Sequence, residues 1–305
     1  MMEDRIMRKN IFIVTMAVLA ALTSCQKEQE PAGQNTVSDE MQFELSLPET
    51  KVAGNAFEEG DQVSLYAVEY ADGQPQKLQI GGNLINNEKL TRGGSGIWTA
   101  TDKLYWGTQP CDFYAVYPYV SNPTSVDAHL ISINPDQNSV GDALSLGGFE
   151  ASDILFAKAE NATQSGGKVR LQFHHMMSKC VVNIVKGETF EGVIPDDIIV
   201  HIYNTATTAK LNIANGSLQK YGLSDRKTIT MKKVSNILHE AVVVPQHIEN
   251  NTPLIEVTMG GIAYLLETSL SFRPGFVHTI NLIVNTSPDQ EKIEIEIDPE
   301  AGQWN

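Results

Sequence analysis

The chain has 305 residues, with 22 Lys+Arg against 37 Asp+Glu and a formal net charge of −15. That acidic excess excludes a general nucleic-acid binder, which needs cations to displace phosphate counterions, and disfavours a polybasic hold on anionic lipid. An apolar fraction of 42% with 10 Phe, 9 Tyr and 3 Trp suffices for a packed core, and three cysteines are too few for a disulfide scaffold.

Arg8-Lys9-Asn10 is a basic patch, and Ile11 to Leu22 is an uncharged, mostly apolar stretch. A spanning helix needs about 20 apolar residues, so this shorter run fits the core of an export signal. Leu22-Thr23-Ser24-Cys25 follows directly. It resembles the lipobox of bacterial lipoproteins, where the signal is cut before the cysteine and its thiol carries lipid. The resemblance implies a signal peptide over residues 1–24, lipidation of Cys25 and a flexible tether over residues 25–40. Glu3 and Asp4 are unusual ahead of a basic patch, so translation starts at Met1 or at Met7. Gln26-Lys27-Glu28-Gln29-Glu30 lacks the Asp that marks inner-membrane retention and resembles the charged export signal of surface lipoproteins. The expected location is therefore the outer membrane, lipid-anchored and surface-exposed. Cys111 and Cys180 could pair in an oxidising compartment, but their apolar surroundings favour two buried thiols.

Beyond the tether the pattern has period two. Met41, Phe43, Leu45 and Leu47 alternate with polar residues until Pro48. Val63–Val68, Asp112–Tyr119, Ile154–Ala157, Val169–Phe173 and Cys180–Val185 read as strands, followed by Ile198–Tyr203, Leu211–Ile213, Ile229–Met231 and Ala241–Val244. Gly260-Gly261 divides LIEVTM from IAYLLET as a hairpin turn, and Asn215-Gly216 is a second turn signal. Val277–Val284 and Ile293–Ile297 complete the set. Strands with frequent turns and few helices predict an all-β protein, and its length suits two sandwiches in tandem, over residues 41–190 and 191–305.

Several blocks in this order resemble the fimbrillin family. Phe57-Glu58-Glu59-Gly60-Asp61-Gln62-Val63 leads into a core strand. Trp98, Leu104-Tyr105-Trp106 and Asp112-Phe113-Tyr114-Ala115-Val116-Tyr117-Pro118 form an aromatic block. Ser152 to Ala157, Val169 to Cys180 and Val243-Val244-Pro245-Gln246 follow. The resemblance implies two transthyretin-like β-sandwich domains in a lipoprotein subunit of type V pili, the fimbriae of cell adhesion. It implies head-to-tail partners: a protease removes the first strand, Met41, Phe43, Leu45 and Leu47, and a neighbour's strand fills the groove. Lys51 is the candidate processing site, although the family often carries Arg there. Ile293, Ile295 and Ile297 alternate with Glu294 and Glu296 and form a donor-strand candidate, with pairing inside the same domain as the alternative. A host or bacterial surface ligand is a further possible partner.

No motif points to an enzyme, cofactor or metal. His174 and His175 are adjacent on a strand and face opposite ways, so they do not share a metal easily. Gly93-Gly94-Ser95-Gly96 lacks the Lys-Ser/Thr of a phosphate cradle. The alternative reading is a surface glycan-binding lipoprotein that stacks sugars on Tyr203, Tyr221 and Trp304.

Overall fold

The computed structural model describes residues 39–47, 56–142, 145–191, 193–222, 225–285, 294–297 (backbone only) and 301–304. The fold is all-β; among the described residues the helices are one short turn, Gly148–Ser152, and a 3₁₀ turn, Gln164–Gly166. Strands Gln62–Ala71 and Cys111–Tyr117 lie side by side, antiparallel, at the middle of a seven-stranded sheet. Leu155–Ala162 and then His174–His175 extend it on one side, and Ile85–Arg92 and Trp98–Ala100 on the other.

The alternation of those two central strands determines the packing. Val63, Leu65 and Ala67 with Phe113, Ala115 and Tyr117 face one core. Tyr66, Val68, Tyr114 and Val116 point the other way into a second core. Every residue of Cys111–Tyr117 is buried. A strand apolar on both faces belongs between two layers, not at a surface.

The second core is completed by later strands. Ser178–Lys186 pairs antiparallel with Leu238–Val243 and parallel with Phe276–Val284. A four-stranded sheet places Ile199–Ile202 beside Pro253–Met259, whose hairpin partner is Ile262–Glu267. Gly260 and Gly261 take φ of 58° and 79°, the left-handed values that a tight two-residue turn demands. Thr208–Leu211 pairs with Leu218–Lys220 and also reaches back to His129–Ser132. At the turn before Leu218, an added Cβ on Gly216 would come within 2.4 Å of the Phe156 ring.

By their contacts, residues Val37–Asn305 form one compact unit. Three strand pairings cross residues 190 and 191, two made by Ser178–Lys186 and one by His129–Ser132. The strand expected at Leu211–Ile213 ends at Leu211, because the Asn212 side chain turns back to accept the Ala214 N–H at 2.9 Å. Ile85–Arg92 carried no alternation: only Ile85 and Leu90 are buried, and Asn87 breaks the pleat at φ 48°.

Two buried polar side chains shape the second core. Gln137 is fully buried and replaces a strand neighbour, donating Nε2–H to the Val242 carbonyl at 2.8 Å and accepting the Val242 N–H at 2.7 Å. Gln137→Leu leaves both backbone groups unpaired and is expected to cost about 2–4 kcal/mol in urea unfolding. His239 is also buried. Desolvation, aided by the Lys233 ammonium, holds it down from 6.5 to about 4. The unfolded chain therefore takes up a proton that the folded chain refuses. Stability from this group is complete above pH 6.5 and falls by about 1.4 kcal/mol per pH unit toward pH 4. His239→Leu should flatten that part of the urea-midpoint profile.

Candidate strand-exchange site

The first strand closes the first core. Phe43–Ser46 runs parallel to Val169–Gln172, with Phe43 opposite Val169 and Leu45 opposite Leu171. Further bonds extend the hold: the Val169 N–H to the Gln42 carbonyl and the Phe173 N–H to the Ser46 carbonyl, both 2.8 Å. Near residue 40 the same segment touches a second neighbour, through Met41 N–H to Leu104 O at 2.8 Å and Trp106 N–H to Asp39 O at 2.9 Å.

Its side chains keep strict alternation. Met41 and Phe43 are buried, Leu45 and Leu47 are half-buried against the core, and Gln42, Glu44 and Ser46 face solvent. Phe43 meets Phe113 edge to face at 6.1 Å, and Trp106 meets the same ring at 5.7 Å. Beside the strand lie Val169, Leu171 and Phe173, all buried. Burying each large apolar side chain contributes roughly 1.5–3 kcal/mol, so the strand is an integral part of the core.

Beyond Met41 the strand pairs on one side, with Val169–Gln172. A groove of about 660 Å³ opens between residues 40–45 and the segment Gly96–Leu104. Its walls include Ile97, which is exposed, and Trp98, which is buried edge-on against Phe57 at 5.1 Å. Phe57 also meets Tyr117 and Phe173, so the block from Phe57 to Val63 has an aromatic hub at its head. Asp61 fastens that block by accepting the Glu58 N–H at 2.7 Å and the Tyr117 hydroxyl at 3.1 Å.

The donor-strand candidate lies at another edge. Glu294–Ile297 is the outermost strand of the six-stranded sheet, antiparallel to Phe276–Val284, with Ile295 opposite Leu282 and Ile297 opposite Ile280. In this structure it pairs within its own chain. Ile293, Lys51 and Cys25 lie outside the described residues.

The remaining candidates separate clearly. His174 is exposed and His175 buried, on opposite faces of their strand. Among the described residues no group of three or more His, Cys, Asp or Glu is placed to hold a metal. Cys111 and Cys180 are separate buried thiols, and burial raises them to about 11 and about 12. Of the three aromatics proposed to stack sugars, Tyr221 is 44% exposed beneath the Lys210 ammonium. Tyr203 donates its hydroxyl to Glu256 at 3.1 Å. Trp304 is buried and stacked on His175 at 4.0 Å, so it offers no open face to a sugar. Among the described residues no helix is long and apolar enough to cross a membrane.

Sequence reading missed the partner of the first strand and the seat of Trp304. Val169–Phe173 was legible as a strand, but its parallel register with Phe43 spans more than a hundred residues and has no local signal.

The chain is all-β, with two cores and a first strand that closes one of them. The fimbrillin-like family model matches residues 50–304, and the chain belongs to that family. It is accordingly a pilus subunit of the cell-surface fimbrium. Among solved structures, a candidate cell adhesion protein from Bacteroides uniformis aligns with a TM-score of 0.66 and 18% identity, over 88% of this chain and 100% of its own. A second, from Bacteroides ovatus, aligns at 0.66 and 16% identity, over 87% and 97%. At such identities the likeness is one of fold. No curated protein matches the chain.

The role of the first strand in the core is measurable. Phe43→Ala should lower unfolding stability by about 3–5 kcal/mol, whereas Gln42→Ala, on the solvent face of the same strand, should change it by less than about 0.5 kcal/mol.

Proposed function

We propose that this pilus subunit is exported as a lipoprotein, anchored to the outer membrane through Cys25, and joined to its neighbours by strand exchange. One observation carries the reading: the first strand buries Met41 and Phe43 while pairing along Phe43–Ser46 with a single neighbour. Taking it out would bare an apolar groove whose backbone is already extended and ready to pair. Lys51 follows that strand, and a cut there would release it. Glu294–Ile297 belongs to a stretch whose apolar residues repeat at the same two-residue spacing, which supports its use as the incoming strand. A contact between groove and strand is heterologous, so it can propagate as a filament instead of closing as a dimer. Neither catalysis nor a cofactor is part of this role.

The two-sandwich division is likewise our proposal. The pairing of Ser178–Lys186 with strands of the second half supports placing that strand in the second domain. The division would then fall at Met176 and Met177, between His174–His175 and Ser178–Lys186.

Incubating the chain with a trypsin-like protease should yield a product that begins after Lys51 and assembles into fibres visible by electron microscopy. Lys51→Ala should stay uncut and monomeric. A cut chain that remains monomeric at high concentration would overturn the strand-exchange reading.

A further inference from the structure

Trp304 occupies a seat built where the two sheet systems meet. Its indole lies flat on the His175 imidazole, with ring centres 4.0 Å apart and an 8° angle between planes. The imidazole is fixed from behind, with Nδ1 2.9 Å from the Asp153 carboxylate. His175 belongs to the seven-stranded sheet, where it pairs with Leu155. The Trp304 N–H donates to the Gly275 carbonyl at 2.8 Å, and the Gly275 N–H donates to Met177 O at 2.8 Å. Gly302 and Gln303 pair with Val277 and Phe276. Trp304 therefore joins the edge of the second sheet to a side chain of the first.

Gly302–Gln303 and Glu294–Ile297 run along the same strand, Phe276–Val284. A four-residue edge pairing is marginal by itself, since short isolated strand pairs are barely stable in water. Among the described side chains of residues 301–304, Trp304 is the buried one. His175 also lines a cavity of about 630 Å³ together with Leu47, Phe57, Tyr117 and Asp153. The seat of Trp304 and the end of the first strand thus border one space.

From this arrangement we propose that Trp304 stacked on His175 is a latch that keeps Glu294–Ile297 on its own sheet, so that the strand can be lent to a second copy only after the indole leaves its seat. The proposal rests on the strand-exchange reading for its consequence but not for the latch itself. An opened latch frees the outer edge of Phe276–Val284 and the strand beside it in one step.

The test uses hydrogen exchange on the full chain carrying Cys25→Ser. In Trp304→Ala and in His175→Ala, the amides of Glu294–Ile297 and Gly302–Trp304 should exchange about tenfold faster or more, the factor that losing a stacked aromatic pair implies. Amides of Cys111–Tyr117 should keep their protection, which shows that the fold is intact. His175→Phe retains a ring beneath the indole and should stay within about threefold of the parent. Unchanged exchange of Glu294–Ile297 in Trp304→Ala overturns the latch, whether or not fibres form. Assembly of the cut chain is then timed with and without Trp304→Ala. Faster assembly supports the gate, and an equal rate despite faster exchange overturns it. Raised exchange with no assembly in any cut variant overturns the strand-exchange reading and leaves the latch without its proposed consequence.

Discussion

The fold depends on one sheet being buried on both faces. Gln62–Ala71 and Cys111–Tyr117 send alternate side chains to opposite sides, Leu65 and Phe113 to one core, Tyr66 and Tyr114 to the other. Because strand side chains alternate strictly, a slip of one residue in either strand would exchange the two sets and place each where the other fits. Even the polar positions on these strands are satisfied. Ser64 accepts the Val120 N–H at 3.0 Å, and the buried Asp112 carboxylate takes the Tyr70 hydroxyl at 3.0 Å and the Asn161 N–H at 2.8 Å. Such bonds keep the register where a wholly apolar strand could slide.

A shared wall has a consequence for the two edges that the proposed strand exchange would use. The first core lies on the face away from the second half, so its closure depends on the first strand. The second core is built by later strands, and Glu294–Ile297 pairs at the edge of their six-stranded sheet. One edge therefore contains a strand that is integral to a core, and another contains a strand added to a sheet already four strands wide along its main path. Losing the first opens a groove beside Val169 and Leu171; losing the second uncovers the backbone edge of Phe276–Val284.

Much of this was legible from residues alone. The alternation in Met41–Leu47, the Gly260-Gly261 turn and the aromatic block ending at Pro118 each act locally, through backbone sterics or side-chain period, and the structure forms a strand or turn at each. The strand Ile85–Arg92 escaped because it presents INNEKLTR, a polar run with two buried anchors, and its pairing is imposed by the neighbouring Gln62–Ala71. The separation of His174 from His175 followed from strand geometry. The partner of His175 did not, because Trp304 is far from it in sequence and no local spacing encodes their meeting. Long-range parallel pairing, as between Phe43 and Val169, is likewise a property of the closed core and not of either segment.

If exchange joins the subunits, the groove also selects what enters it. Met41, Phe43 and Leu45 occupy alternate positions, with the Phe43 ring edge-on to Phe113. Ile293, Ile295 and Ile297 repeat the spacing without a ring. An isoleucine in the place of Phe43 would restore the backbone pairing and leave a gap beside Phe113, and unfilled core volume costs about 24 cal/mol per Å³. The joint between identical copies would thus be looser than the parent fold at one of its three anchoring positions. A partner strand with an aromatic residue there would seat more tightly. Backbone pairing supplies affinity that is nearly indifferent to sequence, while side-chain volume at alternate positions supplies the preference. On the strand-exchange proposal, the same groove would accept a second copy and still favour a different subunit wherever one is present.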